Sequence, residues 1–176
     1  TDQTTIEDVA INLVLAATDL DNDIISFAAT SSEPNVTPQI TDSLLTLTPA
    51  LNWHGISTIM VAGTDNSATP LTREIRFKLT VLPVNDAPSA VTFSPDSIEE
   101  NLYAGTFVGL IQASDPDTGE TFVYDMISGD GVNDRDNDKF IITNDSLLSN
   151  AVFDYEEEDS LFIRLLVRDR VGLNSE

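Results

Sequence analysis

One ordered set of acidic motifs occurs twice in this chain. The fold must therefore be a domain small enough for the chain to contain two copies of it. Each half carries an early Glu, an Asp-x-Asp motif and a late Asp. In the first half these are Glu7, Asp19-Leu20-Asp21 and Asp65, and in the second half they are Glu100, Asp115-Pro116-Asp117 and Asp169. Equivalent residues lie 93, 96 and 104 positions apart in a chain of 176 residues. The sequence therefore predicts two tandem copies of one domain of about ninety residues.

Short strand patterns separated by Gly, Pro, Asn and Asp run through both halves. Residues 75–81 alternate cleanly, which places four apolar side chains on one face: Ile75, Phe77, Leu79 and Val81. Shorter apolar runs predict further strands at 11–15, 44–48, 57–61, 106–111, 122–124, 140–142 and 161–167. No segment shows a capped helical stripe. The predicted fold class is all-β, with two tandem Greek-key, immunoglobulin-like β-sandwiches joined end to end by a short linker.

The segment 83–88 reads Pro-Val-Asn-Asp-Ala-Pro, and its two prolines around a polar turn predict the linker. Domain 1 then covers residues 1–87 and domain 2 covers residues 88–176. Few residues follow Asp169 and Gly172, so we expect domain 2 to lack its final strand. An exposed edge at 161–167 would invite strand addition, and we expect either a dimer through this edge strand or a mobile domain 2.

The composition restricts the partners of the chain. Its 30 acidic and 8 basic residues give a net charge of -22, which disfavours binding to nucleic acid or to an anionic bilayer. The absence of cysteine excludes disulfides, thiolate metal sites and a cysteine nucleophile. No apolar run approaches the ~20 residues of a membrane helix, and no signal peptide is visible, so we expect a fragment of a longer chain.

The acidic clusters have the chemistry of a hard-cation site. A third acidic motif, Asp154-Tyr155-Glu156, adds to those of the repeat in the second half. Carboxylate and carbonyl oxygens are the ligands that calcium prefers, usually six to eight of them. The sequence thus favours Ca²⁺ as the bound ion.

These motifs, taken in order, resemble a known family. Residues 96–172 resemble a cadherin repeat through Glu100-Asn101, Gly105-Thr106-Phe107-Val108, Ala113-Ser114-Asp115-Pro116-Asp117, Asp154-Tyr155-Glu156, Asp169 and Gly172. Residues 4–88 resemble the related cadherin-like repeats of large bacterial surface proteins through Glu7-Asp8, Asp19-Leu20-Asp21, Asn52-Trp53-His54-Gly55, Asp65 and Val84-Asn85-Asp86-Ala87-Pro88. Domain 1 is the more divergent half.

The resemblance implies that calcium binds between consecutive domains. The implied junction ligands are Glu7, Asn85, Asp86, the carbonyl of Ala87, Asp115, Asp117 and Asp169. Where the family pattern has Asp-x-Glu, domain 1 has Leu51-Asn52-Trp53, which removes two carboxylates. Two half-sites follow from the same pattern: Asp19, Asp21 and Asp65 would face an upstream domain, and Glu100, Asp154 and Glu156 would face a downstream one.

The function that the resemblance implies is a calcium-binding extracellular module for adhesion or spacing, in a large, membrane-associated cell-surface protein. Its expected partners are calcium, adjacent repeats of the same chain, and another cell-surface protein or a glycan. The alternative is a carbohydrate-binding module of a secreted polysaccharide-processing protein, with Trp53 as an exposed sugar platform. An enzyme is not expected, because His54 has no nucleophile or second metal ligand beside it in the sequence.

A further acidic run, Asp134-Arg135-Asp136-Asn137-Asp138, invites comparison with an EF-hand loop. Its sixth position is Lys139 where that loop requires glycine, and no helices flank it. We therefore predict a solvated loop or a shallow surface ion site.

Overall fold

The computed structural model describes all 176 residues, with fourteen strands and one short 3₁₀ turn. The chain forms two compact units, unit 1 at Thr1–Val84 and unit 2 at Asn85–Glu176. The division predicted between residues 87 and 88 stays a prediction. No helix in the structure has the length and apolar character needed to span a membrane.

Unit 1 contains two sheets. Its strands are β1 (Gln3–Ile6), β2 (Ile11–Val14), β3 (Ile25–Ser31), β4 (Val36–Thr41), β5 (Leu44–Pro49), β6 (Gly55–Asp65) and β7 (Thr72–Leu82). One sheet has the order β1-β7-β6-β3, with β1 parallel to β7 and the other pairs antiparallel. The other sheet has the antiparallel order β2-β5-β4.

The core of unit 1 follows from alternation along its strands. In β5, Leu45 and Leu47 are fully buried and alternate with threonines, as a strand with one inward face requires. In β7, Leu79 and Val81 are buried, whereas Ile75 near the other end of the strand is exposed. The predicted face of residues 75–81 is therefore the inner face, except at Ile75. The remaining buried core residues are Val36, Ile59 and Val61.

Unit 2 repeats the two-sheet plan. Its strands are β8 (Ala90–Ser94), β9 (Phe107–Ser114), β10 (Val123–Met126), β11 (Phe140–Thr143), β12 (Ser146–Ser149), β13 (Leu165–Arg168) and β14 (Asn174–Ser175), and its 3₁₀ turn is Asn137–Lys139. The antiparallel sheets have the orders β11-β12-β9-β8 and β10-β13-β14. The all-β sandwich class predicted from the sequence is confirmed for this chain.

The repeat is also visible in the backbone of the two units. Asp8 and its equivalent Asn101 adopt left-handed conformations, with φ angles of 61° and 59°. The hairpins β4–β5 and β11–β12 turn at Asp42 and Asn144, with φ angles of 55° and 57°. Asn and Asp tolerate this region better than other non-glycine residues, so the turn chemistry fits the conformation.

The strand predicted at 161–167 begins only at Leu165. The backbone N–H groups of Phe162 and Arg164 donate to the side-chain oxygens of Asp136 and Asn137, at 2.8 and 3.0 Å. The two side chains thus accept hydrogen bonds that the carbonyl groups of a neighbouring strand would otherwise accept. The apolar run alone does not reveal this substitution.

The two-residue strand β14 follows Gly172. It pairs with Val167 and Arg168 of β13. The expectation that domain 2 lacks its final strand stays a prediction.

Candidate metal centre

The Asp-x-Asp motif of unit 2 lies directly after β9. The carboxylate Oδ1 of Asp115 accepts the backbone N–H of Asp117 at 2.9 Å, which forms a tight Asx turn. Oδ2 of Asp117 accepts the backbone N–H of Asp86 at 2.8 Å. Carboxylate oxygens of Asp86 and Asp117 lie within 4.8 Å of each other. The turn after β9 therefore brings two of the predicted ligands together.

Asp169 follows β13 and is 4% exposed. Its Oδ1 accepts the backbone N–H groups of Val171, Gly172 and Leu173, and its Oδ2 accepts Nδ2 of Asn85 at 2.6 Å. Burial alone would raise the pKa of Asp169, but the hydrogen bonds from Asn85 and the three backbone groups outweigh it and lower the pKa. Asp169 is thus held as a carboxylate in contact with the amide of Asn85, a second predicted ligand.

Asp115 has one carboxylate oxygen that lacks a hydrogen-bond partner. Oδ2 of Asp115 is buried and accepts nothing from the protein. A buried carboxylate oxygen without a partner costs free energy unless a donor or a cation meets it. Its neighbours in unit 2 offer further oxygens suited to a hard cation. The residues Asn85, Asp86, Asp115, Asp117 and Asp169 therefore have the chemistry of a calcium site.

A second group of carboxylates lies elsewhere in unit 2. Ligand oxygens of Glu100, Asp154 and Glu156 lie within 4.8 Å of one another, and all three residues are exposed. Oε2 of Glu100 accepts the backbone N–H of Tyr155 at 3.0 Å, and Oδ1 of Asp154 accepts that of Glu156 at 3.0 Å. The structure thus brings the three residues of the predicted downstream half-site together.

The predicted upstream half-site in unit 1 is arranged differently. Oδ1 of Asp19 accepts the backbone N–H groups of Asp21 and Asp23. Oδ1 of Asp65 accepts the hydroxyl and backbone N–H of Ser67, which lower the pKa of Asp65. Asp19, Asp21 and Asp65 are not among the carboxylate groups whose ligand atoms lie within 4.8 Å of one another. Their role as ligands stays a prediction.

Glu7 is almost fully buried in unit 1. Its Oε1 accepts the backbone N–H of Val84, and its Oε2 lies 3.7 Å from Nδ1 of His54. Oδ1 of the next residue, Asp8, accepts the backbone N–H of Asn52, within the motif that replaces Asp-x-Glu. No sequence motif predicts that His54 is a neighbour of Glu7. Glu7 and the carbonyl of Ala87 stay predicted ligands.

Trp53 packs against the core of unit 1. Its indole ring lies over Gly55, where an added Cβ would stand 2.9 Å from Trp53 Cζ2. This packing role differs from the exposed sugar platform that the alternative function requires.

Asp136 is 3% exposed, so the solvated loop predicted for 134–138 is wrong at this residue. Its Oδ1 lies 2.7 Å from Nζ of Lys139, and its Oδ2 lies 3.1 Å from Nε of Arg135 and accepts the N–H of Phe162. Burial opposes ionisation, but the hydrogen bonds from Lys139, Phe162 and Arg135 outweigh it and lower the pKa of Asp136. The basic residues Arg135 and Lys139 close to Asp136 in the sequence are the pattern that could have predicted its ion pairs.

Solved structures of cadherin repeats resemble this chain. Human protocadherin-24 EC1-2 (form II) matches with a TM-score of 0.56 and 21% identity, over 96% of this chain and 82% of that one. Mouse cadherin-23 EC22-24 matches at 0.55 and 21%, and protocadherin gamma C5 EC1-3 at 0.57 and 18%, each over 99% of this chain. This chain covers 60% and 63% of those two structures. No protein-family model matches the chain. The fold is cadherin-like.

Proposed function

We propose that this chain is a pair of calcium-binding repeats from an extracellular adhesion or spacer protein, in which calcium stiffens the junction between consecutive repeats. The observation that carries the proposal is the buried, unbonded Oδ2 of Asp115 beside the ordered carboxylates of unit 2. The cadherin-like fold supports it, because the predicted motifs occur in the order that the resemblance requires.

The proposed site uses each residue in a distinct way. Asp115 and Asp117 present carboxylates on one rigid turn, and Asp169 is held ionised by backbone N–H groups. Bound calcium would supply the positive charge that these oxygens lack. Without it, two like charges about 5 Å apart at an effective dielectric constant of 20 repel by about 3 kcal/mol. Removing that repulsion would order the linker residues Asn85 and Asp86.

The remaining predicted ligands extend the proposal beyond unit 2. Glu7 and the carbonyl of Ala87 would complete the junction from the side of domain 1. Glu100, Asp154 and Glu156 would act with a following repeat, and Asp19, Asp21 and Asp65 with a preceding one. Extracellular modules bind calcium at roughly 10⁻⁴–10⁻³ M, so such sites would be filled outside the cell. Adhesion to another cell-surface protein or to a glycan would then depend on calcium.

The test is calcium binding by Asp115→Asn, measured by isothermal titration calorimetry. Asparagine keeps an acceptor for the N–H of Asp117 but removes the charge from the buried oxygen. We expect the affinity of the junction site to fall about tenfold, while Asp138→Asn, a charge-matched change outside both clusters, leaves it unaltered. Equal calcium affinity in wild type and Asp115→Asn would refute the proposed site.

The second cluster has its own spectroscopic reporter. Tyr155 lies between Asp154 and Glu156, so a terbium ion bound in place of calcium would be sensitised by its ring. We expect Glu156→Gln to abolish that luminescence and Asp115→Asn to preserve it. Luminescence that survives Glu156→Gln would place the terbium elsewhere.

A further inference from the structure

Unit 2 contains an open cavity lined by both apolar and polar residues, of which only Glu100 belongs to a proposed calcium site. Its volume is about 880 Å³, within the range of roughly 300–1,000 Å³ typical of small-molecule sites. Its walls include core side chains from the sheet β11-β12-β9-β8 and from the segment between β12 and β13: Val108, Phe140, Leu147, Phe153, Leu161 and Ile163. The cavity is therefore cut into the core of the unit.

The local backbone explains why the cavity is open. The segment before Leu165 bonds to the side chains of Asp136 and Asn137 and does not continue β13. Leu161 and Ile163 are consequently only partly buried, although they pack against the core that contains Val108 and Leu147. The apolar wall is left accessible on this side.

The mouth of the cavity is acidic. Five carboxylate residues and no basic residue line the cavity: Asp96, Glu99, Glu100, Glu158 and Asp159. Glu158 is paired with Lys139 and Arg135, and Glu100 accepts the N–H of Tyr155. The carboxylates of Asp96, Glu99 and Asp159 take part in no hydrogen bond or ion pair. These three are available to a ligand.

We propose that this cavity binds an amphipathic amine, a small molecule with an apolar body and an ammonium group. The body would bury itself against Val108, Leu147 and Leu161, where apolar contact drives binding. The ammonium group would lie at the mouth near Glu99 and Asp159, where negative charge favours a cation. The same field disfavours an anionic ligand of equal shape, so charge is the predicted basis of selectivity.

The test compares three probes that share one apolar body: phenylbutylammonium, phenylbutanol and phenylpentanoate. Each is titrated into the full chain with labelled methyl groups, at low salt and in the presence of a chelator. The chelator makes the result independent of the proposed calcium function. We expect saturable methyl shifts at Val108, Leu147 and Leu161, with the ammonium probe about tenfold tighter than the alcohol and the carboxylate weakest.

Variants at the mouth distinguish attraction of the ammonium group to nearby carboxylates from attraction to the net negative charge of the chain. Glu99→Gln combined with Asp159→Asn should weaken the ammonium probe about fivefold and leave phenylbutanol unchanged. Asp42→Asn combined with Asp138→Asn makes the same change in net charge away from the cavity and should alter neither probe. Neither pair touches the core, so folding is preserved. The proposal is overturned if the cavity methyl groups do not shift, if the three probes bind equally, or if both variant pairs weaken the ammonium probe alike.

Discussion

Replacing Asp136 by alanine should destabilise unit 2 by about 3 kcal/mol. The carboxylate is 3% exposed and bonds to Lys139, to Arg135 and to the backbone N–H of Phe162. Lys139 and Arg135 also pair with Glu158, and Arg135 donates to the carbonyl of Ser160. One buried acid thus fixes the segment that carries Asp154 and Glu156 to the loop before β11.

The magnitude depends on what remains after the substitution. The backbone N–H of Phe162 loses its acceptor, and because Phe162 is 43% exposed, water can replace part of that hydrogen bond. The penalty should lie near the lower end of the about 1–3 kcal/mol for a buried group. Lys139 and Arg135 side chains are 33% and 43% exposed and keep Glu158, so water and that carboxylate compensate part of the lost charge pairing. The cost should therefore lie near the lower end of the 3–5 kcal/mol seen when a buried ion pair is broken. Asp136→Asn keeps an acceptor and should cost about half as much.

The chain offers separate optical reporters for the two units. Its single tryptophan, Trp53, lies in unit 1, and its three tyrosines, Tyr103, Tyr124 and Tyr155, all lie in unit 2. Urea unfolding followed by tyrosine absorbance should shift to lower urea in Asp136→Ala. The transition followed by tryptophan fluorescence should not move. Asp138→Asn is the charge-matched control and should change stability by less than about 0.5 kcal/mol.

The pH dependence gives an independent check. The pKa of Asp136 is lower in the folded unit than its ordinary value of 3.8, so the unfolded chain binds the proton more readily. The stabilisation is therefore fully present above the ordinary pKa and is lost as the pH falls through the folded pKa. The stability difference between wild type and Asp136→Asn should shrink below about pH 4. A difference that is constant down to strongly acidic pH, or an unchanged tyrosine transition at neutral pH, would refute the structural role of this carboxylate.

Three further predictions concern calcium and the edge of unit 2. Calcium at a hundredfold excess over its dissociation constant should add about 2.7 kcal/mol of stability. The melting temperature should rise more with calcium than with magnesium. Identical melting curves in calcium and in chelator would contradict this prediction. Asp117→Ala should broaden the distance distribution from small-angle scattering in calcium while both units stay folded, and an unchanged distribution would show that the ion does not stiffen the junction. Because β14 covers only Val167 and Arg168 of β13, we expect concentration-dependent dimers in analytical ultracentrifugation, weakened by Asn174→Lys; a monomer at every concentration would exclude this edge as an interface.

Alternation and turn chemistry were enough to predict the sandwich class. Residues 44–48 and 75–81 alternate visibly, and both lie in strands whose inward residues form the core of unit 1. Five strands of four or more residues were missed: β1, β3, β4, β8 and β12. Of these, β3 mixes Ser, Ala and Thr, and β4 contains Pro38, which weakens a strand pattern. The pairing of β4 with β5 overrides that local signal. β4 is therefore a strand whose conformation depends on its neighbour.

Of the predicted acidic groups, Glu100, Asp154 and Glu156 have ligand oxygens within 4.8 Å of one another, whereas the group of Asp19, Asp21 and Asp65 stays a prediction. The sequence could not assign the hydrogen-bond partners of the acidic residues. The grouping of Glu100 with Asp154-Tyr155-Glu156 was implied by the resemblance to a cadherin repeat. The neighbours of Asp136 and Glu7 are different, because Phe162 and His54 are brought to them by the fold. A periodic pattern contains no information on which distant N–H group a carboxylate will accept. This is the reason why the pattern at 134–138 predicts a solvated loop although Asp136 is buried.

Two kinds of aspartate in this chain look alike in the sequence and differ in their chemistry. Oδ1 of Asp169 and both oxygens of Asp136 are filled by donors from the protein, so folding itself holds those charges. Oδ2 of Asp115 is buried without such a donor, and the oxygens of Glu100, Asp154 and Glu156 face one another. In the second kind the carboxylates stay close together, and the proposed calcium would lower their repulsion. For a chain with a net charge of -22, the count of acidic residues is therefore a poor guide to ion binding, and the donors already present at each oxygen are a better one.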